Sequence, residues 1–266
     1  MTPARSYLFV PGNRADRFDK AWEAGADAVI IDLEDAVPPQ DKPVARAALV
    51  DWLSDARPVY VRVNAADTPW FDDDIAACAS AGVAGVMLPK AEDADAIRAL
   101  VARCHRVVVP LIETAKGFAD LRTLSEQASV LRVAFGSIDF QVDLGIEGDD
   151  LELLFFRSQL VLASRLANIQ PPVDGISVAI DDTDLLRADT LKSRRLGFGA
   201  KLCIHPHQLA VVNASFRPTD DEIRWARRVV DAMSAAKGAV VSVDGKMVDR
   251  PVLAKAERIM REAGVQ

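Results

Sequence analysis

Two carboxylates follow two apolar runs at matching positions in the middle of the chain. Glu113 comes directly after the run Val107–Ile112, and Asp139 follows the run Val130–Phe135 after one short turn. They are about one strand–helix–strand step apart, so adjacent parallel strands would place both at one edge of a sheet. Such like charges repel unless a cation lies between them, and hard cations take oxygen ligands. The pair therefore predicts a metal site, although either acid alone is better explained as a cap of the following helix.

More charged side chains stand where other apolar runs end. Glu34 and Asp35 lie beside Asp32 after one run, Arg62 ends the next run, and Lys90 follows the run after that. A planar guanidinium on a rigid strand suits a carboxylate ligand better than a lysine would. Glu34 and Asp35 could instead pair with the arginine and order it. Lys90 could form a Schiff base, which a metal pair makes redundant, or it could neutralise the acids.

Weaker signals come from two further strand ends. His205 and His207 have the spacing of a histidine metal pair, but Pro206 separates them and no third histidine is near. A hydrogen-bonded structural role is therefore favoured for both. The backbone N–H groups of Gly136 and Ser137 could add donors toward a substrate oxygen.

An alternation of apolar runs and amphipathic stretches would position these side chains. The eight strand-like runs are Tyr7–Val10, Ala28–Ile31, Val59–Val63, Gly85–Leu88, Val107–Ile112, Val130–Phe135, Gly175–Ala179 and Lys201–Ile204. The helix-like stretches between them include Pro43–Leu53, Glu92–Ala102, Leu151–Ala167 and Asp182–Arg195. This order predicts an α/β fold, a TIM (β/α)8 barrel over residues 1–215, with its active site at the C-terminal strand ends. A doubly wound open sheet is the alternative, but no G-x-G-x-x-G follows the first run.

Residues 216–266 are not needed to close a barrel. A helix is predicted over Asp220–Ala236, and the pair Asp244-Gly245 between short apolar runs indicates a hairpin over Val240–Val248. A second helix follows. We expect this C-terminal helix–hairpin–helix extension to pack on its own barrel or on a neighbouring subunit.

The composition narrows the class of protein. The 266 residues are half apolar, which suits a single barrel of about 250 residues. No apolar run approaches the roughly 20 residues of a membrane span, and the start lacks the pattern of a signal peptide. Three cysteines without a C-x-x-C indicate a reduced, cytoplasmic protein. A net charge of −7 with interspersed signs argues against nucleic-acid binding.

Eight sequence blocks in a fixed order resemble a known family. They are Arg5–Asn13, Asp32–Val37, Val61–Asn64, Met87–Lys90, Ile112–Thr114, Phe135–Asp139, Ile204–Gln208 and Asp244–Asp249. Together they resemble the citrate lyase β-subunit-like proteins, which are relatives of the malyl-coenzyme A lyases. The resemblance implies a Mg²⁺-dependent aldolase barrel that breaks or forms a carbon–carbon bond between a 2-oxo acid and an acyl-coenzyme A.

The resemblance also assigns roles to individual residues. Glu113 and Asp139 match the metal carboxylates, and Arg62 matches the arginine that holds the oxo-acid carboxylate. Asp249 matches a tail acid that enters the neighbouring subunit's site in related lyases, where it would move a proton as a general acid–base. The resemblance therefore implies a homo-oligomer, either a trimer or a hexamer.

Other assignments and functions stay open at this point. Asn13 and Lys20 could contact coenzyme A phosphates, although a solvated helix face explains Lys20 equally well. Glu34 and Asp35 are expected to belong to the catalytic group with Arg62 and Asp249. The residues expected to bind the substrate are Arg62, Glu113, Gly136 and Ser137. An aldolase of free pyruvate enolate without coenzyme A is one alternative function, and a non-catalytic subunit of a larger lyase complex is another.

Overall fold

Eight short parallel strands close into a barrel in the first part of the chain. The computed structural model describes residues 3–236 and 240–265. The strands are β1 (Ser6–Pro11), β2 (Ala28–Asp32), β3 (Val59–Arg62), β4 (Val83–Leu88), β5 (Val107–Ile112), β6 (Ala134–Phe135), β7 (Val173–Asp174) and β8 (Ala200–Cys203). The first strand pairs in parallel with both β2 and β8, which closes the barrel. The predicted TIM-barrel fold is thus confirmed.

Helices follow the strands around the barrel. They are α1 (Phe18–Glu23), α2 (Lys42–Trp52), α3 (Phe71–Cys78), α4 (Ala94–Cys104), α5 (Ala115–Ala119), α6 (Leu121–Ser125), α7 (Ser137–Leu144), α8 (Leu151–Leu166), α9 (Thr183–Leu196) and α10 (His207–Phe216). Short 3₁₀ turns cover Ala15–Arg17 and Pro39–Asp41. Each crossover returns the chain to the start of the next strand, so all strand C-termini share one rim.

The seventh strand lies earlier in the chain than predicted. The alternating apolar residues of Gly175–Ala179 indicated a strand there, but β7 is Val173–Asp174 and the predicted segment is irregular. The side-chain amide of Gln208 donates to the carbonyls of Ser177 and Ala179, at 2.8 and 2.9 Å. These two backbone carbonyls therefore accept from the Gln208 side chain, whereas in a strand they would accept from the backbone of a neighbouring strand.

The barrel interior is filled by residues from alternate positions of the strands. Tyr7, Ile30, Met87, Val109 and Leu202 are all nearly inaccessible to solvent and belong to one cluster. Strands of a parallel barrel are covered on both sides, which explains why they read as continuous apolar runs. The interior is therefore a packed core, and space for a ligand is left only at the ends.

A buried ionic network joins the barrel wall to two surrounding helices. Asp174 accepts from Arg157 Nε at 3.0 Å and from the Ser193 hydroxyl, and Lys201 lies 2.8 Å from Asp189. Burial alone would raise the pKa of Asp174, but Lys201, Arg157 and the hydroxyl outweigh it and lower that pKa. The network satisfies charges that would otherwise be costly to bury.

Residues 214–265 form a second compact unit within the described ranges. It holds α11 (Asp220–Ala235), an antiparallel hairpin of β9 (Val241–Val243) and β10 (Lys246–Val248), and α12 (Arg250–Ala263). The N-terminus of α11 carries a reciprocal capping box between Thr219 and Glu222. The division between the two units falls after Asn213.

All three cysteines are buried free thiols. They are Cys78, Cys104 and Cys203. Burial raises the pKa of each thiol, in the case of Cys203 to about 12. Separately, no helix among the described residues combines the length and hydrophobicity that crossing a membrane requires.

Candidate active site at the barrel rim

A cavity of about 370 Å³ opens at the C-terminal ends of the barrel strands. Its polar side is lined by Asp32, Asp35, Arg62, Glu113, Gly136, Ser137 and Asp139. Its apolar side is lined by Phe9, Ala36, Leu111, Phe135, Ile138, Ile176, Leu202 and Ile204. The rim of a (β/α)8 barrel is where its active site is expected. The cavity thus brings together most of the residues predicted from strand ends.

Glu113 lies at the base of this cavity, directly after β5. Its side chain is 2 % exposed, and its Oε1 accepts the backbone N–H of Lys90 at 2.7 Å. Burial and the nearby Glu34 raise the pKa of Glu113 to about 8, and Asp139 adds to the rise. The carboxylate is therefore held in place but lacks the positive charge that would keep it ionised.

Gly136 leaves the space that Glu113 occupies. A Cβ at this position would lie 2.5 Å from the Glu113 Cβ and 2.6 Å from its Oε2. The N–H of Gly136 donates to the carbonyl of Ile112 at 2.9 Å, so it serves the barrel and not a ligand. The next residue, Ser137, is buried and begins α7. A helix N-terminus presents amide groups without intrahelical acceptors, so of the two predicted donors Ser137 is the better placed.

Asp139 stands in the first turn of α7 and lines the same cavity as Glu113. Because both carboxylates line one cavity, the charge of Asp139 contributes to the raised pKa of Glu113. Asp139 is more exposed than Glu113, as a ligand at a cavity mouth would be. The structure brings together the two acids that the sequence paired.

Arg62 is surrounded by acids from the end of β2. Its Nε and Nη2 donate to the two oxygens of Asp32, each at 2.7 Å. Its Nη1 lies 3.1 Å from Glu34 Oε2 and 3.5 Å from Asp35 Oδ2. Burial alone would lower the pKa of Arg62, but the three acids raise it, so the guanidinium stays charged. The arginine is thus ordered by carboxylates, as the ordering hypothesis for Glu34 and Asp35 required, and the Nη1 side faces Glu34 and Asp35.

Glu34 carries an unusual charge environment. Its side chain is 6 % exposed, and burial raises its pKa to about 7 despite Arg62. The Oε2 atom has no hydrogen-bond donor, because the contact with Arg62 is close but poorly aligned. Lys90 Nζ approaches the other oxygen at 3.4 Å. One buried carboxylate oxygen is left for a further cation or donor.

Lys90 adopts a left-handed backbone conformation, with φ of 42°. This conformation is uncommon for a residue with a Cβ and typically costs about 1–3 kcal/mol. It aims the backbone N–H at Glu113 while the side chain reaches Glu34, and the ammonium is half-exposed. Strain of this kind collects at functional sites. Lys90 therefore acts on the site through its backbone as well as its charge.

The donor set at the rim fits a hard divalent cation. Five carboxylates and three cations lie at this end of β2 to β6 and the loops after them: Asp32, Glu34, Asp35, Glu113 and Asp139, with Lys42, Arg62 and Lys90. Burial among too few cations raises the pKa values of Glu34 and Glu113, and a divalent cation beside them would stabilise their ionised forms. Among the described residues no group of three or more His, Cys, Asp or Glu side chains is arranged to hold a metal. A pair of carboxylates suits Mg²⁺, which keeps several waters and is often held by one or two acids.

Other predicted site residues lie elsewhere or stay untested. Asn13 follows β1 at the rim and donates to Asp41 at 3.1 Å, whereas Lys20 is an exposed residue of α1. His205 Nδ1 accepts the backbone N–H of His207, in line with a structural role for the histidines. Asp249 is the N-cap of α12 and accepts from the N–H of Val252 through Oδ1.

Sequence reasoning missed three polar residues that do not line the cavity but connect to the loop carrying Glu34. Lys42, Asn64 and Asp74 are buried and hydrogen-bonded to one another in a chain. The sequence carried a signal only for Asn64, which lies two residues after Arg62 at the end of a predicted strand. Lys42 and Asp74 stand at no predicted strand end, and only their burial in the folded chain reveals them.

Comparisons with known proteins agree with this architecture. Residues 5–206 match the family described as HpcH/HpaI aldolase/citrate lyase. A citrate lyase subunit beta-like protein of Deinococcus radiodurans is 38 % identical over 96 % of each chain. A (3S)-malyl-CoA thioesterase of Cereibacter sphaeroides is 35 % identical over 97 % of this chain and 96 % of its own. The crystal structure of Mycobacterium tuberculosis CitE with magnesium, acetoacetate and coenzyme A shares 35 % identity and a TM-score of 0.88 over 98 % of both chains. The resemblance seen in the eight blocks is confirmed, and the chain belongs to the HpcH/HpaI aldolase/citrate lyase family of enzymes.

Proposed function

We propose that this protein is a Mg²⁺-dependent carbon–carbon lyase that acts on a hydroxyacyl-coenzyme A thioester. It yields or consumes a 2-oxo acid and an acyl-coenzyme A. The observation that carries the proposal is the cavity at the barrel rim, where Glu113 and Asp139 lie in one environment beside Arg62. Structures of relatives with magnesium, oxo acids and coenzyme A support the same ligand set.

Glu113 and Asp139 would hold the metal, since both are carboxylates with too little positive charge around them. Bound there, Mg²⁺ would supply Lewis-acid stabilisation of the oxygen that gains or loses negative charge. Arg62 would bind the carboxylate of the oxo acid through its Nη1 side, exchanging part of its contact with Glu34 and Asp35. Ser137, at the N-terminus of α7, would donate to a substrate oxygen.

The reaction needs a group that moves one proton. In cleavage, the 3-hydroxyl loses its proton and becomes the carbonyl of the oxo acid, while the electron pair of the broken bond forms a thioester enolate. The enolate carbon then takes up a proton. We assign that transfer to Asp249 of a neighbouring subunit, a general acid–base that must come within about 3 Å of the carbon or act through water. The active protein would then be a homo-oligomer, a trimer or hexamer, in the cytoplasm.

Thioester hydrolysis is the second candidate function. It is favoured by the (3S)-malyl-CoA thioesterase relatives, which match over almost the whole chain. The same cation and Arg62 would bind a hydroxyacyl-coenzyme A for either reaction. The two differ in which bond breaks, so the products distinguish them.

Product analysis with purified protein tests the proposal directly. Malyl-coenzyme A and citramalyl-coenzyme A would be incubated with and without Mg²⁺, and the products separated by chromatography. A lyase releases acetyl-coenzyme A and an oxo acid, whereas a thioesterase releases free coenzyme A and the hydroxy acid. The matched variant Glu113→Gln keeps the size of the side chain but weakens the metal site, so it should lose the Mg²⁺-dependent part of either activity.

Two other outcomes would replace the proposal. Turnover of free hydroxy-oxo acids without any thioester would indicate a pyruvate-type aldolase that needs no coenzyme A. Absence of turnover with every thioester and every free acid would indicate a non-catalytic subunit of a larger lyase complex.

A further inference from the structure

Lys42 occupies a position that ordinary local rules disfavour. It is the first residue of α2, and its side chain is only 6 % exposed. A cation at a helix N-terminus opposes the helix dipole, and lysine is rarely buried without a carboxylate partner. Residues that depart from these local preferences are expected at functional or strained sites.

All three ammonium protons of Lys42 have neutral acceptors. Nζ donates to the carbonyl of Leu33 at 2.9 Å, to the carbonyl of Glu34 at 3.1 Å, and to the side-chain oxygen of Asn64. It also lies 4.9 Å from the centre of the Trp70 ring. Lysine has three donors and no acceptor, so this environment satisfies it fully.

The contacts join the ends of two neighbouring strands. Leu33 and Glu34 begin the loop after β2, and Asn64 follows β3. The Asn64 amide donates to Asp74 at 2.6 Å, and Asp74 in turn accepts from Arg46 at 2.9 Å. Asp74 is 1 % exposed. A continuous buried chain therefore anchors the β2 loop to α2 and α3.

The same loop surrounds the arginine of the candidate site. The N–H groups of Glu34 and Ala36 donate to the two oxygens of Asp32, at 2.9 and 3.1 Å. Asp32 accepts two hydrogen bonds from Arg62, and Glu34 contacts the Nη1 side of the guanidinium. The ammonium of Lys42 holds the backbone of the same loop through the carbonyls of Leu33 and Glu34.

We propose that Lys42 is a positioning residue for the oxo-acid subsite, which holds Glu34 and Arg62 in binding geometry by clamping the β2 loop to Asn64. The proposal rests on the proposed function for the nature of the ligand. The clamp itself rests on the hydrogen bonds alone. Lys42 does not line the cavity, so its effect on a ligand would pass through the loop.

A matched control is available in the same barrel. Lys201 is likewise a buried lysine, 1 % exposed, but its ammonium pairs with Asp189 behind the barrel wall. Lys42→Met removes a buried ammonium beside the ends of β2 and β3, and Lys201→Met removes one from β8. Both variants should lose stability, and only Lys42→Met should alter the β2 loop.

Hydrogen exchange followed by mass spectrometry tests the clamp without any ligand. In Lys42→Met, the peptide covering residues 33–37 should exchange at least about tenfold faster than in the native protein. In Lys201→Met that peptide should exchange at the native rate. Unchanged exchange of residues 33–37 in Lys42→Met would overturn the clamp. Lys42→Gln, which retains a polar side chain, serves the same comparison if the methionine variant does not fold.

Ligand binding tests the positioning role. Calorimetry in saturating Mg²⁺ would compare glyoxylate, pyruvate and oxaloacetate, and the tightest binder becomes the probe. We expect Lys42→Met to bind the probe roughly 10- to 100-fold more weakly, the usual effect of losing a supporting residue. In the same calorimetry, Lys42→Met should bind acetyl-coenzyme A with a Kd within about threefold of the native value and with native stoichiometry, whereas an unfolded fraction would lower the stoichiometry. Native probe affinity in a folded Lys42→Met would overturn the role. If the native protein bound none of the three acids, the proposed function would fail, and the exchange experiment alone would decide the clamp.

Discussion

Gly136→Ala should displace the proposed metal ligand without removing it. The new methyl group would lie 2.5 Å from the Glu113 Cβ and 2.6 Å from Oε2, against an ordinary contact of 3.4–4 Å. Relief of the clash requires a shift of roughly 1 Å in a site packed to crystal density. Glu113 is 2 % exposed and tied to the Lys90 amide, so little room exists for that shift.

The expected loss falls on metal binding. A misplacement of about 1 Å can cost roughly 10²-fold in activity, and losing support for a ligand typically costs about 10- to 100-fold in metal affinity. Overpacking would also lower the free energy of unfolding by roughly 1–3 kcal/mol. Isothermal titration of Mg²⁺ at fixed pH and ionic strength measures the first effect. Thermal unfolding with and without Mg²⁺ gives an independent reading, since a ligand at 100 times its Kd stabilises by about 2.7 kcal/mol.

Gly145→Ala provides the control for lost stability. Gly145 ends α7 with φ of +68°, and an added Cβ meets nothing within 4 Å. The substitution should cost about 1–2 kcal/mol through its left-handed backbone but leave Mg²⁺ affinity unchanged. The reasoning is refuted if Gly136→Ala binds Mg²⁺ as tightly as the native protein and shows the same Mg²⁺-dependent rise in Tm.

Four other perturbations test separate parts of the structure. Arg62→Lys cannot reproduce the bidentate contact with Asp32. Loss of one charge-assisted hydrogen bond, worth roughly 1.5–3 kcal/mol, should raise the KM for the oxo acid about 10- to 150-fold. A change confined to the KM for the coenzyme A thioester would assign Arg62 to the coenzyme A end of the site instead. Lys90→Gly keeps the left-handed backbone and should preserve Mg²⁺ affinity, whereas Lys90→Val should lose it, and equal titration curves would exclude the backbone role. Asp174→Asn should lower the free energy of unfolding at pH 7 by roughly 1–3 kcal/mol, because Arg157 Nε loses its buried carboxylate partner while Asp149 still pairs with Arg157 and Asp189 with Lys201. Because the folded-state pKa of Asp174 is lowered, its contribution is complete above the unfolded pKa and is lost as pH falls through the folded value, so the variant's deficit should shrink in acid denaturation. Mixed oligomers of Asp249→Asn and Glu113→Ala subunits should recover activity if the tail serves a neighbouring barrel, and inactive mixtures that demonstrably exchange subunits would restrict it to its own chain.

The fold was predictable because each strand carries a continuous apolar run that is buried on both faces. The one misplaced strand shows where such reasoning fails. Ile176 and Val178 alternate with small residues, as in a strand, but Val178 is 73 % exposed. The amide of Gln208 holds that segment, and a contact across about thirty residues leaves no trace in a local pattern.

The candidate site was predictable as far as charges stand at strand ends. Glu113, Asp139 and Arg62 follow runs whose direction the barrel fixes, so their meeting could be anticipated. The surroundings of Arg62 could be predicted only in part, because Glu34 and Asp35 were possible partners of the arginine whereas Asp32, which accepts from its Nε and Nη2, was given no such role. Lys42 escaped notice for a different reason: a lysine in an amphipathic helix is usually solvated, and only the packed structure shows it buried.

The three buried thiols make the native chain a convenient background for chemical labelling. Thiol reagents attack the thiolate, and both inaccessibility and raised pKa values keep Cys78, Cys104 and Cys203 in the unreactive form at neutral pH. A single cysteine introduced on an exposed face, for example at Glu257 of α12, would then carry a maleimide dye alone. Fluorescence transfer between donor- and acceptor-labelled chains would then test the proposed subunit association in real time, without deletion of any native residue.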